Sequence, residues 1–506
     1  MELVVSALLT SISIDNLLYI VAGVALGNII GAIPGLNAVM AIAIAVPLTY
    51  YMPAVGAMGF LVGINKGAAF GGSVSAIILN VPGSPDAAAT CFDGYPMHCQ
   101  GKGLKALKLS LFASAFGDFF STLILILIAL PLASLAIQLG PAELCALIIF
   151  TLILIADLDS DNIWKGILAT AFGLLLSTIG LDPVSSLPRL TFGYYPLENG
   201  IPLAPAVIGI LALTEISRQM AEYDRHKAQV QPHNLPPGDM QADRLGFVEF
   251  FRLLPALIRG SLVGVIVGIV PGIGGTVSAF LSYGVEKKRA KDPDTFGKGR
   301  SEGVVAPEAA NNAVICASLI PLFTLGIPGS LISALLIGAF ILHGITPGPL
   351  MFEQHTETVY AIYSTMMLGN LFNLIVGYIG LFFFIRLLSS PRKLLFPMII
   401  FLCFSGICVM DSSFTAIVIA ILFMFLGYGM QVLNLSVVSL IIGLVLGPQL
   451  ELYMQQTVMM GEGTLAPLLT RPLACILILL SLLIMAKKLV SYSAKSLRNG
   501  RRSAGE

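Results

Sequence analysis

The sequence predicts an all-α polytopic membrane protein with about 11–12 transmembrane segments, several of them re-entrant or broken by Pro-Gly pairs. Its 506 residues are 56% hydrophobic and only 11% charged, whereas soluble domains carry about 25% charged residues. Apolar runs that reach spanning length with their flanks recur along the chain, for example at residues 123–139, 401–426 and 473–485. Pro-Gly pairs also recur in matching order in two halves of the chain, which predicts two inverted-topology repeats.

Charge, cysteine and histidine usage narrow the function classes further. The formal net charge is zero, so we expect no nucleic-acid partner and a lipid bilayer as the surroundings. The seven cysteines occur without a CxxC pair, which favours buried reduced thiols over disulfides or metal ligands. The five histidines lack the spacing of metal ligands. The sequence therefore predicts no metal, no cofactor and no catalytic residues.

Polar stretches define the predicted domain organisation. A Pro- and Gln-rich stretch at residues 218–254 is predicted to be a cytoplasmic linker. It separates a first transmembrane repeat, residues 1–217, from a second, residues 255–450. A C-terminal transmembrane segment (451–486) and a basic cytoplasmic tail (487–506) follow. No polar stretch is long enough for a catalytic domain, so we expect the function to reside within the membrane.

The internal repeat depends on four landmarks that occur in the same order in both halves. The members in the first half are Gly27-x3-Gly31-x2-Pro34-Gly35, Val81-Pro82-Gly83-Ser84, Gly117-Asp118 and Pro141. The members in the second half are Gly264-x3-Gly268-x2-Pro271-Gly272, Ile327-Pro328-Gly329-Ser330, Gly369-Asn370 and Pro391. Because order and spacing both agree, we interpret the halves as copies of one unit.

Basic loops alternate between the two halves. The loop at residues 287–300, after the Pro271-Gly272 pair, is basic, whereas its counterpart at 48–53 has no Lys or Arg. Residues 100–108 hold three lysines, whereas their counterpart at 346–358 has none. Short loops rich in Lys and Arg stay in the cytoplasm. The halves are therefore predicted to have opposite orientations.

The four Pro-Gly pairs are the predicted binding site. Proline breaks a helix, glycine lets backbone approach a ligand, and a helix that begins after the break presents free N–H groups to an anion. Transporters with inverted repeats often bind substrate at such broken helices. The candidate substrate-binding residues are Gly35, Asn37, Asn80, Pro82, Gly83, Ser84, Gly272, Gly274, Gly275, Thr276, Asn311, Asn312, Pro328, Gly329 and Ser330.

Three ionisable residues are further candidates because charges within membrane segments usually serve function. Lys66, Asp86 and Glu308 are predicted to contact a substrate charge or a coupling cation, either sodium or a proton. Snorkelling or a structural ion pair is the alternative for Lys66 and Glu308. The glycines that precede the first and third breaks also suit close helix packing of the GxxxG kind, and the sequence leaves both interpretations open.

Two motifs resemble the large membrane subunit of the tripartite tricarboxylate transporters. One motif runs from Gly71-Gly72-Ser73 through Asn80-Val81-Pro82-Gly83-Ser84-Pro85 to Asp93-Gly94-Tyr95-Pro96-Met97. The other runs from Glu302 through Pro307-Glu308-Ala309-Ala310-Asn311-Asn312 to Leu325-Gly326-Ile327-Pro328-Gly329-Ser330 and His343-Gly344-Ile345-Thr346-Pro347-Gly348-Pro349. The stretch Asn65-Lys66-Gly67-Ala68-Ala69-Phe70 departs from the aromatic, uncharged pattern expected there.

The resemblance implies a permease in a bacterial inner membrane that takes up a tricarboxylate or related carboxylate. It implies a periplasmic solute-binding protein and a small four-helix membrane subunit as partners, and an ion gradient as the driving force. The chain lacks GxxxxGK[ST], HExxH and GxSxG, which disfavours ATP-driven transport and a membrane-embedded enzyme. A channel or a scaffold subunit without its own substrate site remains the alternative.

Overall fold

The computed structural model describes residues 2–33, 36–158, 163–182, 185–223, 247–387, 395–410 and 413–503. The helices before the linker are α1 (Glu2–Ser11), α2 (Ile14–Ala32), α3 (Ala38–Ala45), α4 (Ala54–Leu79), α5 (Cys91–Cys99), α6 (Gly103–Ala136), α7 (Pro141–Leu158), α8 (Ile163–Ser177), α9 (Leu203–Val207) and α10 (Thr214–Tyr223). Those after it are α11 (Phe247–Ile269), α12 (Gly274–Arg289), α13 (Ser301–Ala317), α14 (Leu319–Leu325), α15 (Leu331–Leu342), α16 (Met351–Gln354), α17 (Thr356–Leu387), α18 (Leu395–Met410), α19 (Phe414–Val432), α20 (Val437–Met460), α21 (Pro467–Thr470) and α22 (Pro472–Ser503).

Elements other than α-helices are short. Single 3₁₀ segments cover Val46–Tyr51, Pro85–Thr90, Tyr195–Leu197 and Pro293–Thr295, and a π-helical turn covers Ile208–Leu213. Strands β1 (Gly180–Leu181) and β2 (Pro188–Arg189) form a two-residue antiparallel ladder with Gly180 opposite Arg189. The prediction of an all-α membrane protein is therefore confirmed.

Among the described residues, nine helices are long and apolar enough to cross a membrane. Four shorter apolar stretches accompany them, at Ala38–Tyr51, Ile163–Ser177, Leu331–Leu342 and Pro472–Lys487. Two of these short helices, α3 and α15, directly follow Pro-Gly breaks. That position is expected of re-entrant elements, because irregular backbone at membrane depth must be buried in protein or line a wet cavity.

The chain forms two compact units, each assembled from separate stretches of sequence. The first unit comprises Met1–Ser134 and Leu203–Leu426, and the second comprises Leu135–Pro202 and Gly427–Glu506. Both units draw on sequence from either side of the linker, whereas the predicted domains follow the linear order of the chain. All of the described candidate residues lie in the first unit.

In the first unit, α2 and α4 run side by side in the same direction. A Cβ on Gly27 would lie 2.2 Å from the carbonyl oxygen of Ile64, and one on Gly31 would lie 2.3 Å from that of Ala68. The residue numbers of the contacting pairs increase in the same direction along both helices, so α2 and α4 are parallel. The chain returns between them through α3, so α2 and α3 form a hairpin.

The second half repeats this arrangement with α11, α12 and α13. A Cβ on Gly260 would lie 2.5 Å from the carbonyl oxygen of Ala306, and one on Gly264 would lie 2.3 Å from that of Ala310. Helices α11 and α13 are therefore parallel, and α11 and α12 form the hairpin with the third break at its tip. The glycines before both tips serve close helix packing.

Beyond α4, and again beyond α14, the chain turns back before it continues. Asn80 ends α4 in the left-handed conformation with φ 54°, and the Gly83 N–H then donates to the carbonyl oxygen of Gly72, 3.1 Å away. Gly326 ends α14 with φ 72°, and Ser330 Oγ reaches to 3.3 Å of Ser318 Oγ. At the second and fourth breaks the chain therefore turns back and lies beside a preceding helix.

The two lysine-rich loops that the positive-inside rule assigns to the cytoplasm lie together. Gln100 Nε2 donates to the carbonyl oxygen of Lys298 at 2.7 Å. The helices that follow their non-basic counterparts also meet, because Val55 of α4 and Ala361 of α17 belong to one buried cluster. This pairing agrees with the predicted orientation of the halves.

The second unit packs α7, α8, α20 and α22. A Cβ on Gly173 of α8 would lie 2.1 Å from the carbonyl oxygen of Leu440 in α20. Arg189 in β2 pairs with Glu451 at 2.5 Å, and Arg471 pairs with Glu143 at 3.1 Å. Each ion pair lies near the end of a helix or at a loop.

Candidate functional site

The breaks of the two halves converge in the first unit. A Cβ on Gly83 would lie 2.5 Å from the carbonyl oxygen of Gly31, so the second break lies against the end of α2 just before the first. The Gly272 N–H donates to the carbonyl oxygen of Gly329 at 3.1 Å, which joins the third break to the fourth. Elements that follow the breaks, α12 with Pro85–Thr90 and α3 with α15, then pack across the halves.

Asp86 of the first half lies at the N-terminal turn of α12 in the second half. Thr276 Oγ1 donates to Asp86 Oδ1 at 2.5 Å. A Cβ on Gly275 would lie 3.0 Å from Asp86 Cγ and 2.7 Å from Asn311 Oδ1. The carboxylate suits this place because the first turn of a helix favours negative charge. Side chains from both halves, Asp86 and Asn311, therefore lie against Gly275.

Several groups at the breaks are already used within the protein. The amides of Gly83 and Gly272 are paired with carbonyl oxygens, so these two donors are not free for an anion. Asn37 accepts a hydrogen bond from the Met40 N–H at 2.9 Å and caps α3, and Ser330 forms a capping box with Ser333 at the start of α15. Helix α12 has no side-chain cap of its own.

Glu308 is held by hydroxyl groups. It is fully buried in α13, where Ser73 Oγ donates to its Oε1 at 2.5 Å and Ser114 Oγ to its Oε2 at 3.1 Å. Thr90 also donates to Oε1. Asn312, one turn further along α13, donates to Ser114 Oγ at 2.9 Å. The carboxylate therefore links α4 and the second break to α13.

Lys66 forms a third polar centre away from the breaks. Its ammonium lies 3.4 Å from Asp118 Oδ1, and both side chains are fully buried. It also donates to Asn370 Oδ1 and lies 3.4 Å from Cys316 Sγ. This arrangement is the structural ion pair that the sequence left open as the alternative, and the contacts do not place Lys66 among the breaks.

Exposure separates the candidate residues into groups. Gly83, Asn311, Asn312, Pro328 and Gly329 are buried. Asn37, Pro82, Ser84, Asp86, Gly272, Gly274, Gly275, Thr276 and Ser330 are half-buried, and Asn80 is exposed. Gly35, with Pro34, lies outside the described residues. The half-buried set makes the tip of α12 the accessible part of the cluster, and a Cβ on Gly274 there would meet no atom within 4 Å.

The first unit also holds an apolar cavity. It is lined by Ala43, Val46, Leu203, Ala204, Val207, Ile208, Leu335 and Gly338. Helices α3, α9 and α15, the 3₁₀ segment after α3 and the π-helical turn after α9 contribute these residues, none of which is polar or charged. The lining offers no partner for a carboxylate, so we do not assign substrate to it.

Several residues of the polar centres were not among the predicted site residues. Ser114, Thr122 and Cys316 complete the environments of Glu308 and Lys66, and no local pattern marks them in the sequence. Asp93 is also buried, and it binds backbone N–H groups of the loop at residues 297–300. Its signal was present, because it belongs to the first motif of the resemblance.

The comparison with known families bears on the whole arrangement. A family model described as the tripartite tricarboxylate transporter TctA family matches residues 17–442. The chain belongs to this family. The match spans both hairpins and all four breaks, so membership in a transporter family covers the entire cluster described above and implies a tripartite system with other subunits.

Relatives of this family member occur in Agrobacterium vitis. The "Uncharacterized 52.8 kDa protein in TAR-I ttuC' 3'region" is 34% identical over 474 residues, which cover 94% of this chain and 93% of that protein. The "Uncharacterized protein in TAR-II ttuC' 3'region" is 36% identical over 219 residues, or 43% of this chain and 90% of that protein. No solved structure matches the chain.

Proposed function

We propose that the chain is the large transmembrane subunit of a binding-protein-dependent secondary transporter that imports a tricarboxylate or related carboxylate. A bacterial inner membrane, a periplasmic solute-binding protein and a small four-helix membrane subunit belong to this proposal. The observation that carries it is the meeting of the segment after the second break, at Asp86, with the start of α12 in the other half, at Thr276 and Gly275. Such sites are typical of transporters that work by alternating access.

The chemistry of the cluster divides the proposed tasks between its groups. The N-terminus of α12, which Asp86 of the other half already contacts, supplies main-chain donors and the positive end of a helix dipole to the substrate carboxylate. The neighbouring Asn311 is 3% exposed, and its Nδ2 has no hydrogen-bond partner within the described part of the chain. It is therefore available to donate to an incoming anion.

Coupling to a cation, either sodium or a proton, is assigned to Asp86. Its carboxylate is half-buried, lies beside Thr276 Oγ1 and faces the Gly275 position that Asn311 Oδ1 also faces. Carboxylate, hydroxyl and amide oxygens are ligands that hard cations prefer. A cation here neutralises Asp86, which otherwise repels a second carboxylate at the same helix end.

Uptake measurements test this function. We expect Thr276→Val, which keeps shape but removes the hydroxyl, to lower uptake of labelled citrate at least about tenfold, since loss of a single charge-assisted hydrogen bond costs about 1.5–3 kcal/mol. Vesicles with all three subunits are compared under a sodium gradient, a pH gradient and neither. Asp86→Asn is expected to abolish the dependence on the effective gradient.

The matched control is Val277→Ala, because Val277 is the next residue of α12 and is 50% exposed. It is expected to transport like the unaltered protein. Full uptake by Thr276→Val and unchanged gradient dependence in Asp86→Asn, with both proteins normally inserted, would contradict the proposed site. A channel is distinguished by uptake that follows the citrate gradient alone.

A further inference from the structure

Lys66 lies where four helices from both halves of the chain meet. Its own helix is α4, and the groups around its ammonium come from α6 (Asp118), α13 (Cys316) and α17 (Asn370). The side chain is completely buried. A Cβ on Gly369 of α17 would lie 3.6 Å from Lys66 Cδ, so the alkyl stem of Lys66 runs alongside α17.

The groups around the ammonium are those of a cation site. Asp118 provides a carboxylate, whose Oδ1 lies 3.4 Å from Nζ, and Asn370 provides an amide oxygen. Thr122 Oγ1 lies behind them, 3.3 Å from Asn370 Nδ2. Asp118 Oδ2 has no hydrogen-bond partner among the described residues. The negative charge of Asp118 is therefore balanced by a nearby positive charge rather than by hydrogen bonds.

Two of the groups around Lys66 occupy matching positions of the internal repeat. Gly117-Asp118 and Gly369-Asn370 are matched landmarks of the two halves. The structure brings both to the same ammonium, although Asn370 is 304 residues from Lys66 along the chain. The Lys66 ammonium therefore bridges Asp118 and Asn370, which are equivalent positions of the two repeats. The positive charge comes from a side chain of the protein and not from a bound ion.

We propose that the Lys66 ammonium is a tethered cation that permanently fills a monovalent-cation site whose oxygen ligands are Asp118 and Asn370, with Thr122 positioning the Asn370 amide. A covalently tethered charge is bound whatever the salt outside, whereas a free ion binds only in proportion to its concentration. The site therefore holds the halves together without an external ion. The proposal goes beyond the substrate site at the breaks, and it requires any mobile coupling cation to bind elsewhere.

The experiment removes the tether and offers free cations. Purified protein is unfolded thermally in NaCl, KCl, LiCl or choline chloride at equal ionic strength. The Tm of the unaltered protein in each salt, which includes any effect of a cation bound at the site proposed near Asp86, is the reference for the variants. Only a rise larger than that of the unaltered protein counts as binding at the emptied Lys66 site. Lys66→Ala is expected to be less stable in choline and to regain about 5 °C or more in one alkali cation, with Tm rising as the logarithm of its concentration.

Two further variants separate a cation site from general packing. Lys66→Ala combined with Asp118→Asn is expected to show no cation-specific rise, because the carboxylate ligand is gone. Lys287→Ala removes an exposed lysine of α12 and is expected to behave like the unaltered protein. Because each rise is taken relative to the unaltered protein in the same salt and no uptake is measured, failure of the proposed substrate site leaves this test unchanged.

Each outcome decides the proposal. A rise in the Tm of Lys66→Ala that is no larger than that of the unaltered protein overturns it, and so does an equal rise in the double variant. If Lys66→Ala does not fold in choline, Lys66→Gln, which keeps more of the side-chain volume, is prepared in each salt. Recovery of folded protein in an alkali cation but not in choline supports the site, and recovery in none of the salts overturns it.

Discussion

Three buried carboxylates in the first unit have three different kinds of partner. Asp93 binds main-chain N–H groups at residues 297–300, Glu308 binds hydroxyl groups, and Asp118 faces the Lys66 ammonium. Main-chain donors cannot turn away, whereas a hydroxyl can rotate and accept instead of donating. We therefore assign Asp93 a fixed structural task and regard Glu308 as a carboxylate whose surroundings can adjust to an added proton or cation.

Asp93→Ala is expected to destabilise the protein by about 2–4 kcal/mol, because it removes four hydrogen bonds to a buried carboxylate. Asp93 Oδ1 accepts from Gly297, Gly299 and Arg300 at 2.8–3.0 Å, and Oδ2 accepts from the Tyr283 hydroxyl at 2.9 Å. Thermal unfolding of the purified variant measures the loss.

The control for that measurement is Asp294→Ala, which removes an exposed carboxylate from the same loop. Its Tm is expected to match that of the unaltered protein. Tyr283→Phe removes a single hydrogen bond and is expected to fall between the two. Equal Tm values for Asp93→Ala and Asp294→Ala would show that Asp93 does not anchor the loop.

At the scale of elements, glycines set the distance between the parallel helices. The contact of α2 with α4 is reciprocal, because a Cβ on Gly67 would lie 2.3 Å from the carbonyl oxygen of Val24 and one on Gly71 would lie 2.6 Å from that of Asn28. Small residues at such contacts let helix backbones approach closely. These glycine contacts fix where the hairpins lie in the folded protein, because the first helix of each hairpin, α2 or α11, packs through glycine.

Gly67→Leu is expected to separate α2 from α4 and to reduce folded protein strongly, since overpacking against backbone cannot be relieved by a side-chain rotation. The amount of monodisperse protein after detergent extraction is the measure. Gly284→Leu in α12 is the matched control, because a Cβ there would meet no atom within 4 Å. Equal yields of the two variants would refute the close contact.

At the scale of the whole molecule, the charges of the loops predict how each half is oriented in the membrane. The segments near Gln100 and Lys298 are both basic and contact each other, as expected of two loops on the same side of a membrane. The inverted orientation of the halves stays a prediction. It requires the loop after the first hairpin and the loop after the second hairpin to face opposite sides of the membrane.

Cysteine labelling checks this orientation. Tyr51→Cys and Lys291→Cys are placed in a chain whose own cysteines are replaced, since Cys99 and Cys408 are exposed. Tyr51 is 77% exposed and Lys291 is exposed, so both positions are accessible. An impermeant maleimide is expected to label Lys291→Cys from the cytoplasmic side and Tyr51→Cys from the other.

A single restored cysteine at position 99 calibrates the sides, because its neighbour Gln100 contacts Lys298. It is expected to react together with Lys291→Cys. Reaction of Tyr51→Cys from that same side would rule out inverted halves.

The sequence by itself determined the membrane environment, the positions of the breaks and the family. Hydropathy is summed over neighbouring residues, and a Pro-Gly pair breaks a helix through its own backbone, so neither property needs the rest of the fold. The loop charges and the repeat also indicated which loops lie together.

Only the tertiary structure decided which polar groups meet. Asp86 contacts Thr276, which is 190 residues away along the chain. Lys66 pairs with Asp118 and, among the described residues, does not contact the breaks. It also showed that the Gly83 and Gly272 amides are paired, where the broken helices had suggested free donors. The physical reason is that burial and hydrogen bonding depend on how distant helices pack, and no local sum of hydropathy or propensity contains that information.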